Sequence, residues 1–132
     1  MPGWLRLVLY ATFALNALGA YTFLPPGRSI REMGGLPIGQ DPMYLTCIAV
    51  FILVIGLFCL GAAVTGRADK QLLGLVGSGK LAFVAVMAGF RLAGEIPGRA
   101  VAAALPDVLI GLVLVGWVLA VGRPDPTRSP TA

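Results

Sequence analysis

One stretch of the chain decides its fold class: residues 43–65 read "MYLTCIAVFILVIGLFCLGAAVT" and contain no charged side chain. A helix needs roughly 20 apolar residues to cross the hydrocarbon core of a bilayer, and this stretch is long enough. It lacks the alternation of apolar and polar residues that marks a membrane β-strand. Since only helices and closed barrels satisfy their backbone groups in lipid, the stretch predicts a transmembrane helix.

Comparable apolar blocks lie on both sides of this stretch. They occupy residues 4–24, 72–90 and 100–121, and the Pro, Gly and Arg residues are concentrated between them. Short connections place consecutive helices antiparallel. The sequence therefore predicts an all-α integral membrane protein, a four-helix bundle of up-down-up-down topology in residues 1–122. A tail rich in Pro, Ser and Thr follows in residues 123–132, and we expect it to be disordered.

The composition excludes several classes of function. Of the 132 residues, 58% are hydrophobic, 12% are charged and none is histidine. The absence of histidine removes imidazole metal sites, histidine haem ligands and Ser-His-Asp catalysis. The net charge of +4 is spread over loops and tails, which suits anionic headgroups better than nucleic acid. We therefore expect no metal, no cofactor, no catalytic residue and no nucleic-acid partner, and the chain is predicted not to be an enzyme.

The basic residues predict an orientation in the cell membrane. With an even number of spans both termini lie on one side, and that side carries one more basic residue than the other. Its basic residues are Arg6, Arg67, Lys70, Arg123 and Arg128. The opposite side carries Arg28, Arg31, Arg91 and Arg99. Because basic residues are enriched in cytoplasmic loops, we expect a multi-pass protein with cytoplasmic termini.

The third block contains the spacing of a phosphate-binding loop, "GLVGSGK" at residues 74–80. Such a loop follows a strand, and a Ser or Thr after its lysine holds magnesium. Here Leu81 follows Lys80, and the apolar helical pattern continues in both directions. We therefore expect no nucleotide to bind.

Small residues in the same block recur at helical spacing. They are Ser78, Ala82, Ala85, Gly89 and Ala93, three or four residues apart. Residues at this spacing share one face of a helix, and small side chains let another helix approach closely. The pattern predicts a helix-packing face.

Three polar residues inside the apolar blocks form the candidate site. Lys80 lies near the middle of the third block, where an ammonium group costs a few kcal/mol unless something compensates it. Asp107 lies about 9 Å into the fourth block and Asn16 about 12 Å into the first, both measured from the side where the third block ends. We therefore expect Asn16, Lys80 and Asp107 to form an intramembrane polar cluster.

Each of these residues also has a structural interpretation. Pro106 can begin the last helix, so that Asp107 lies in its first turn and complements the helix dipole. Lys80 can extend along its own stem toward the headgroups and face lipid without a partner. Asn16 can link two helices by a hydrogen bond, and a buried ion pair can fix helix register without further function.

The layout resembles a family. Four short spans, "GLPIGQDP" at residues 35–42, "GK" at 79–80 and "PD" at 106–107 are similar to the small bacterial four-span proteins grouped as DoxX-like. That resemblance implies a membrane accessory subunit associated with quinone or thiol redox complexes.

These observations favour a noncatalytic accessory or assembly factor that binds membrane lipid, another membrane subunit or a copy of itself. One alternative is an oligomeric small-solute or proton-coupled carrier that uses Lys80 and Asp107 as a titratable pair. The other alternative is the redox-associated membrane component that the DoxX-like resemblance implies.

Overall fold

The structure, a computed structural model, describes residues 1–39 and 41–121. Its helices are α1 (Gly3–Phe23), α2 (Arg28–Gly34), α3 (Pro42–Thr65), α4 (Lys70–Leu92), α5 (Gly98–Ala103) and α6 (Leu105–Val121), with a short 3-10 turn at Pro25–Gly27. Neither described range contains a strand, so the all-α prediction is confirmed for them. The predicted disordered tail, residues 123–132, lies outside the described residues.

Two helices, α3 and α4, are each long and apolar enough to cross a membrane. Helix α1 and the segment Pro25–Gly34 together pass the same test, although the chain bends by 91° between them, and α6 is a shorter apolar helix. Many large apolar side chains on α3 are exposed, among them Phe51, Leu57 and Phe58. Two or three helices of this kind, with apolar outer faces, are typical of a membrane protein.

The starts of α3 and α4 follow from their capping residues. The Asp41 carboxylate accepts a hydrogen bond of 2.7 Å from the Met43 amide, and Pro42 occupies the first helical position. The Asp69 carboxylate accepts one of 2.8 Å from the Leu72 amide. Each acid satisfies an amide that has no partner within its helix, so the two long helices begin at fixed residues.

Extensive helix contact occurs in two pairs, α1 with α3 and α4 with α6. The second pair crosses where Gly77 faces Gly111. A Cβ atom on Gly77 would lie 2.9 Å from Cγ2 of Val115, and one on Gly111 would lie 2.8 Å from Cγ of Leu81. Two glycines therefore allow the close approach of α4 and α6.

The small-residue face predicted on α4 is not the face that packs within the chain. Its members Ser78, Ala82, Ala85, Gly89 and Ala93 are all exposed. Helix α4 instead turns Leu73, Val76 and Gly77 inward. Since Ser78 follows Gly77 by one residue, its direction differs by roughly 100°, which leaves the predicted face outside.

The fourth predicted block, residues 100–121, is not one continuous helix. Ala104 separates α5 from α6, and Pro106 lies in the first turn of α6. Proline has no amide hydrogen to donate and is tolerated only at the start of a helix, which explains why the regular helix begins again here. The Asp107 amide donates to the carbonyl of Ala104 at 3.0 Å.

The long first loop is folded rather than open. It contains the 3-10 turn and α2, which lie against the end of α1. Gly27 is essential to this bend, because a Cβ atom there would lie 2.1 Å from the Tyr21 carbonyl oxygen. At the other end of α2, Gly35 has a positive φ of 73° and lies against Pro97. The loop therefore covers one end of the helix pairs.

Candidate functional site

The structure brings the three candidate side chains together. The Lys80 ammonium group donates a 3.0 Å hydrogen bond to Oδ1 of Asn16 and forms an ion pair with Oδ1 of Asp107. The cluster joins residues from α1, α4 and α6, and therefore links the two helix pairs to each other.

Lys80 reaches this position from the interior of α4. It lies about 15 Å from the first residue of the helix and about 18 Å from the last. Its side chain is only 11% exposed, so it does not face lipid alone. The ammonium group has three N–H donors, and the described partners accept two hydrogen bonds from it. One donor remains for a further acceptor.

Asp107 has both of the roles that the sequence suggests, a helix-start acid and a partner of Lys80. It lies in the first turn of α6, where its charge complements the helix dipole, and it also pairs with Lys80. The two are compatible because the Lys80 side chain extends from the interior of α4 to the first turn of α6. A carboxylate in that first turn is within reach of a lysine stem, and 24% of its side chain is exposed.

Asn16 likewise has two partners. Its Nδ2 donates a 3.1 Å hydrogen bond to the Ile52 carbonyl of α3, while its Oδ1 accepts from Lys80. Gly56 provides the space, because a Cβ atom there would lie 3.0 Å from Cβ of Asn16. Asn16 therefore links α1 to α3 and orients an acceptor toward the ammonium group.

A cavity of about 330 Å³ lies beside the cluster and is called the Lys80 cavity here. Its polar wall is Asn16, Lys80 and Asp107. Its apolar wall includes Leu15, Phe23, Ile52, Ile55, Leu75 and Phe83. Gly19 and Gly79 also line it, and the space in front of Gly79 is open. Sequence reasoning missed the cavity, although the glycine next to Lys80 is a signal that could have indicated it.

The Lys80 cavity is suited to binding. The opposite charges of Lys80 and Asp107 neutralise each other, so the polar wall offers hydrogen bonds without a net charge. Among the described residues, no Ser, Cys or Tyr lines the cavity. Nowhere in residues 1–39 and 41–121 do three His, Cys, Asp or Glu side chains lie close enough to hold a metal ion.

No family model, curated protein or solved structure matches the chain. The DoxX-like resemblance therefore stays a prediction from the layout of the sequence.

Proposed function

We propose that the chain is a noncatalytic integral membrane protein, an accessory or assembly factor that binds lipid or another membrane subunit. Its four spans would be α1, α3, α4 and the α5–α6 segment, with cytoplasmic termini. The observation that carries the proposal is the Lys80 cavity, an apolar space with a neutral polar cluster on one wall. The DoxX-like resemblance implies the same accessory role.

The size and lining of the Lys80 cavity support binding. Ligand sites are mostly apolar, with a few placed polar groups, and begin at about 300 Å³. An empty apolar cavity loses dispersion contacts on all its walls, so an acyl chain or an apolar side chain from a partner would stabilise it. The remaining N–H of Lys80 would bind an acceptor on that occupant.

Purification in a mild detergent with native lipid, followed by mass spectrometry of what remains attached, tests the proposal. The informative variant is Gly79→Leu, because the added side chain would enter the open space of the Lys80 cavity. Its matched control is Gly116→Leu, a site with equally open surroundings that does not line the cavity.

We expect the wild-type chain and Gly116→Leu to retain a lipid or a membrane subunit, and Gly79→Leu to lose it. A wild-type chain that emerges as a ligand-free monomer would contradict the proposal. Equal retention by both variants would contradict the role of the Lys80 cavity, because binding would then occur elsewhere.

A variant on the exposed small-residue face of α4 distinguishes a lipid partner from a protein partner. A helix of another subunit could approach closely along Ser78, Ala82, Ala85, Gly89 and Ala93. Gly89 has open surroundings and does not line the Lys80 cavity. If the partner is a subunit that packs on this face, Gly89→Leu will abolish its co-purification, whereas retained lipid will be unaffected.

The second candidate function is a small-solute or proton-coupled carrier. The observation that favours it is that both members of an opposite-charge pair line a cavity and are partly exposed there. Asp107→Asn and Lys80→Met, assayed in proteoliposomes, separate the two functions. A carrier would lose proton-coupled flux while remaining folded, whereas an accessory factor would have no flux to lose.

A further inference from the structure

A second cavity, of about 310 Å³, lies where α1, α2 and α3 meet. It is called the Arg31 cavity here. Two arginines, Arg28 and Arg31, line it together with Phe23, Ile38 and Leu45. It shares only Phe23 with the Lys80 cavity, so it forms a separate site.

Arg31 is the unusual member of this cavity. Only 4% of the residue is exposed, and no carboxylate of the described residues lies within ion-pair distance of it. Its Nη1 donates to the carbonyl oxygens of Thr22 at 2.6 Å and Leu24 at 3.3 Å. Its buried Nε has no hydrogen-bond partner within the described part of the chain. A buried guanidinium with an unused donor is costly unless an anion completes its surroundings.

The backbone contacts explain why Arg31 is held in place. Thr22 and Leu24 lie at the end of α1, where carbonyl groups have no partner within the helix and the dipole is negative. Their oxygens use one nitrogen of the guanidinium and hold the group at the cavity wall. The positive charge is only partly compensated, since a helix end carries about half a unit charge.

Arg28 supplies a second guanidinium at the cavity. Its Nε donates a 2.9 Å hydrogen bond to Oε1 of Glu32, and both side chains are largely exposed. An exposed ion pair contributes little to stability, so Arg28 can exchange Glu32 for a stronger anion.

We propose that the Arg31 cavity binds the phosphate group of an anionic lipid. Arginine binds phosphate oxygens through paired N–H donors, and two arginines on one cavity fit a phosphate diester. Phe23, Ile38 and Leu45 offer apolar surface to the acyl chains that follow the phosphate. The end of α1 and the start of α3 form one end of their helix pair, where lipid headgroups lie in the four-span arrangement. Free phosphate has the same phosphate oxygens but no apolar part that could contact the apolar wall.

Native mass spectrometry of the full chain in detergent titrated with phosphatidylglycerol or with phosphatidylcholine tests this site. Arg28→Gln changes an exposed side chain and should not affect folding. Arg31→Lys keeps the charge but loses the paired donors. Arg67→Gln, in the exposed turn between α3 and α4, is the matched control for loss of a positive charge. A parallel titration with inorganic phosphate distinguishes a soluble anion from a lipid.

We expect one phosphatidylglycerol to bind more tightly than phosphatidylcholine. Arg28→Gln and Arg31→Lys should weaken that binding roughly tenfold each, and Arg67→Gln should leave it unchanged. Inorganic phosphate should not displace the lipid. Unchanged binding in folded Arg28→Gln and Arg31→Lys would overturn the proposal, as would equal loss in Arg67→Gln or preference for inorganic phosphate over the lipid.

Discussion

The stability of Lys80 between the helices depends on its two partners, Asp107 and Asn16. An ammonium group at the level of the bilayer centre is costly, and the Asp107 carboxylate and the Asn16 amide oxygen compensate that cost. Buried ion pairs are asymmetric: loss of one partner leaves a buried charge, whereas loss of both leaves none. Single and double neutral variants therefore test whether Lys80 and Asp107 stabilise each other.

Neutralising one partner should therefore destabilise the fold more than neutralising both. We expect Lys80→Met and Asp107→Asn each to cost about 3–5 kcal/mol, and the double variant to cost far less than their sum. Reversible unfolding in mixed detergent measures these free energies. Arg67→Met, which removes an exposed charge, is the control and should change stability little. Additive losses in the double variant would mean that the two side chains do not stabilise each other.

The sequence could predict the members of the cluster but neither cavity. Asn16, Lys80 and Asp107 are conspicuous because polar side chains are rare in apolar blocks, and their depths along the helices predict that they meet. A cavity depends instead on how far apart two packed helices lie, and Gly79 beside Lys80 indicates only that a side chain is missing there. Arg31 was predicted only as a loop charge, since its burial results from the folding of α2 against α1.

At the level of the helices, the sequence predicts a small-residue packing face on α4, but packing within the chain uses a different face of that helix. Gly74, Gly77, Ser78 and Gly79 are all small and lie within two turns, so small residues are available in several directions. Helix α4 packs at Gly77 because Gly111 of α6 faces it, and a side chain on either glycine would prevent the close approach. Spacing within one helix carries no information about such a pair.

The crossing of α4 and α6 should therefore not tolerate a methyl group. A Cβ atom on Gly77 would lie 3.2 Å from the Gly111 carbonyl oxygen, and one on Gly111 would lie 3.0 Å from the Gly77 carbonyl oxygen. We expect Gly77→Ala and Gly111→Ala each to cost about 1–3 kcal/mol in unfolding experiments. Gly116→Ala, with nothing within 4 Å, should be neutral or slightly stabilising. Equal effects at the three sites would contradict the crossing.

The bend between α1 and α2 should depend on Gly27. A Cβ atom there would lie 2.1 Å from the Tyr21 carbonyl oxygen, and backbone atoms cannot move away as a side chain can. We expect Gly27→Ala to release α2 and to make the loop more sensitive to protease at Arg28 and Arg31 in detergent. Gly34→Ala, whose surroundings are open, is the control. Protection equal to that of the wild-type chain would show that α2 does not need this close approach.

At the level of the whole molecule, two helix pairs are joined by a shared apolar core and by the contact among Asn16, Lys80 and Asp107. The sequence predicts the apolar blocks because composition and length determine what can cross a bilayer. It leaves the break at Ala104 open, because Pro106 is compatible both with a helix start and with a kink. Nor could it predict that α1–α3 and α4–α6 make the extensive contacts, since short turns fix neighbours along the chain but not how closely they pack.

A four-span arrangement predicts the side on which each loop lies. Tags at both termini and a label on Arg67→Cys should all be accessible from one side of sealed vesicles. A label on Met33→Cys in α2, an exposed position, should be accessible only from the other side. Native Cys47 and Cys59 are replaced in all variants to remove background. Termini on opposite sides would indicate an odd number of spans and contradict the arrangement.

The most direct test of the account is whether position 80 is shielded from water by a membrane-embedded bundle. The measurement is the rate at which a bulky, charged maleimide labels Lys80→Cys in vesicles opened to expose both membrane faces. The native cysteines are replaced, and Asp107→Asn is present so that no unpaired charge remains. We predict that position 80 reacts far more slowly than Arg67→Cys in the α3–α4 turn. Equal rates at the two positions would contradict the account.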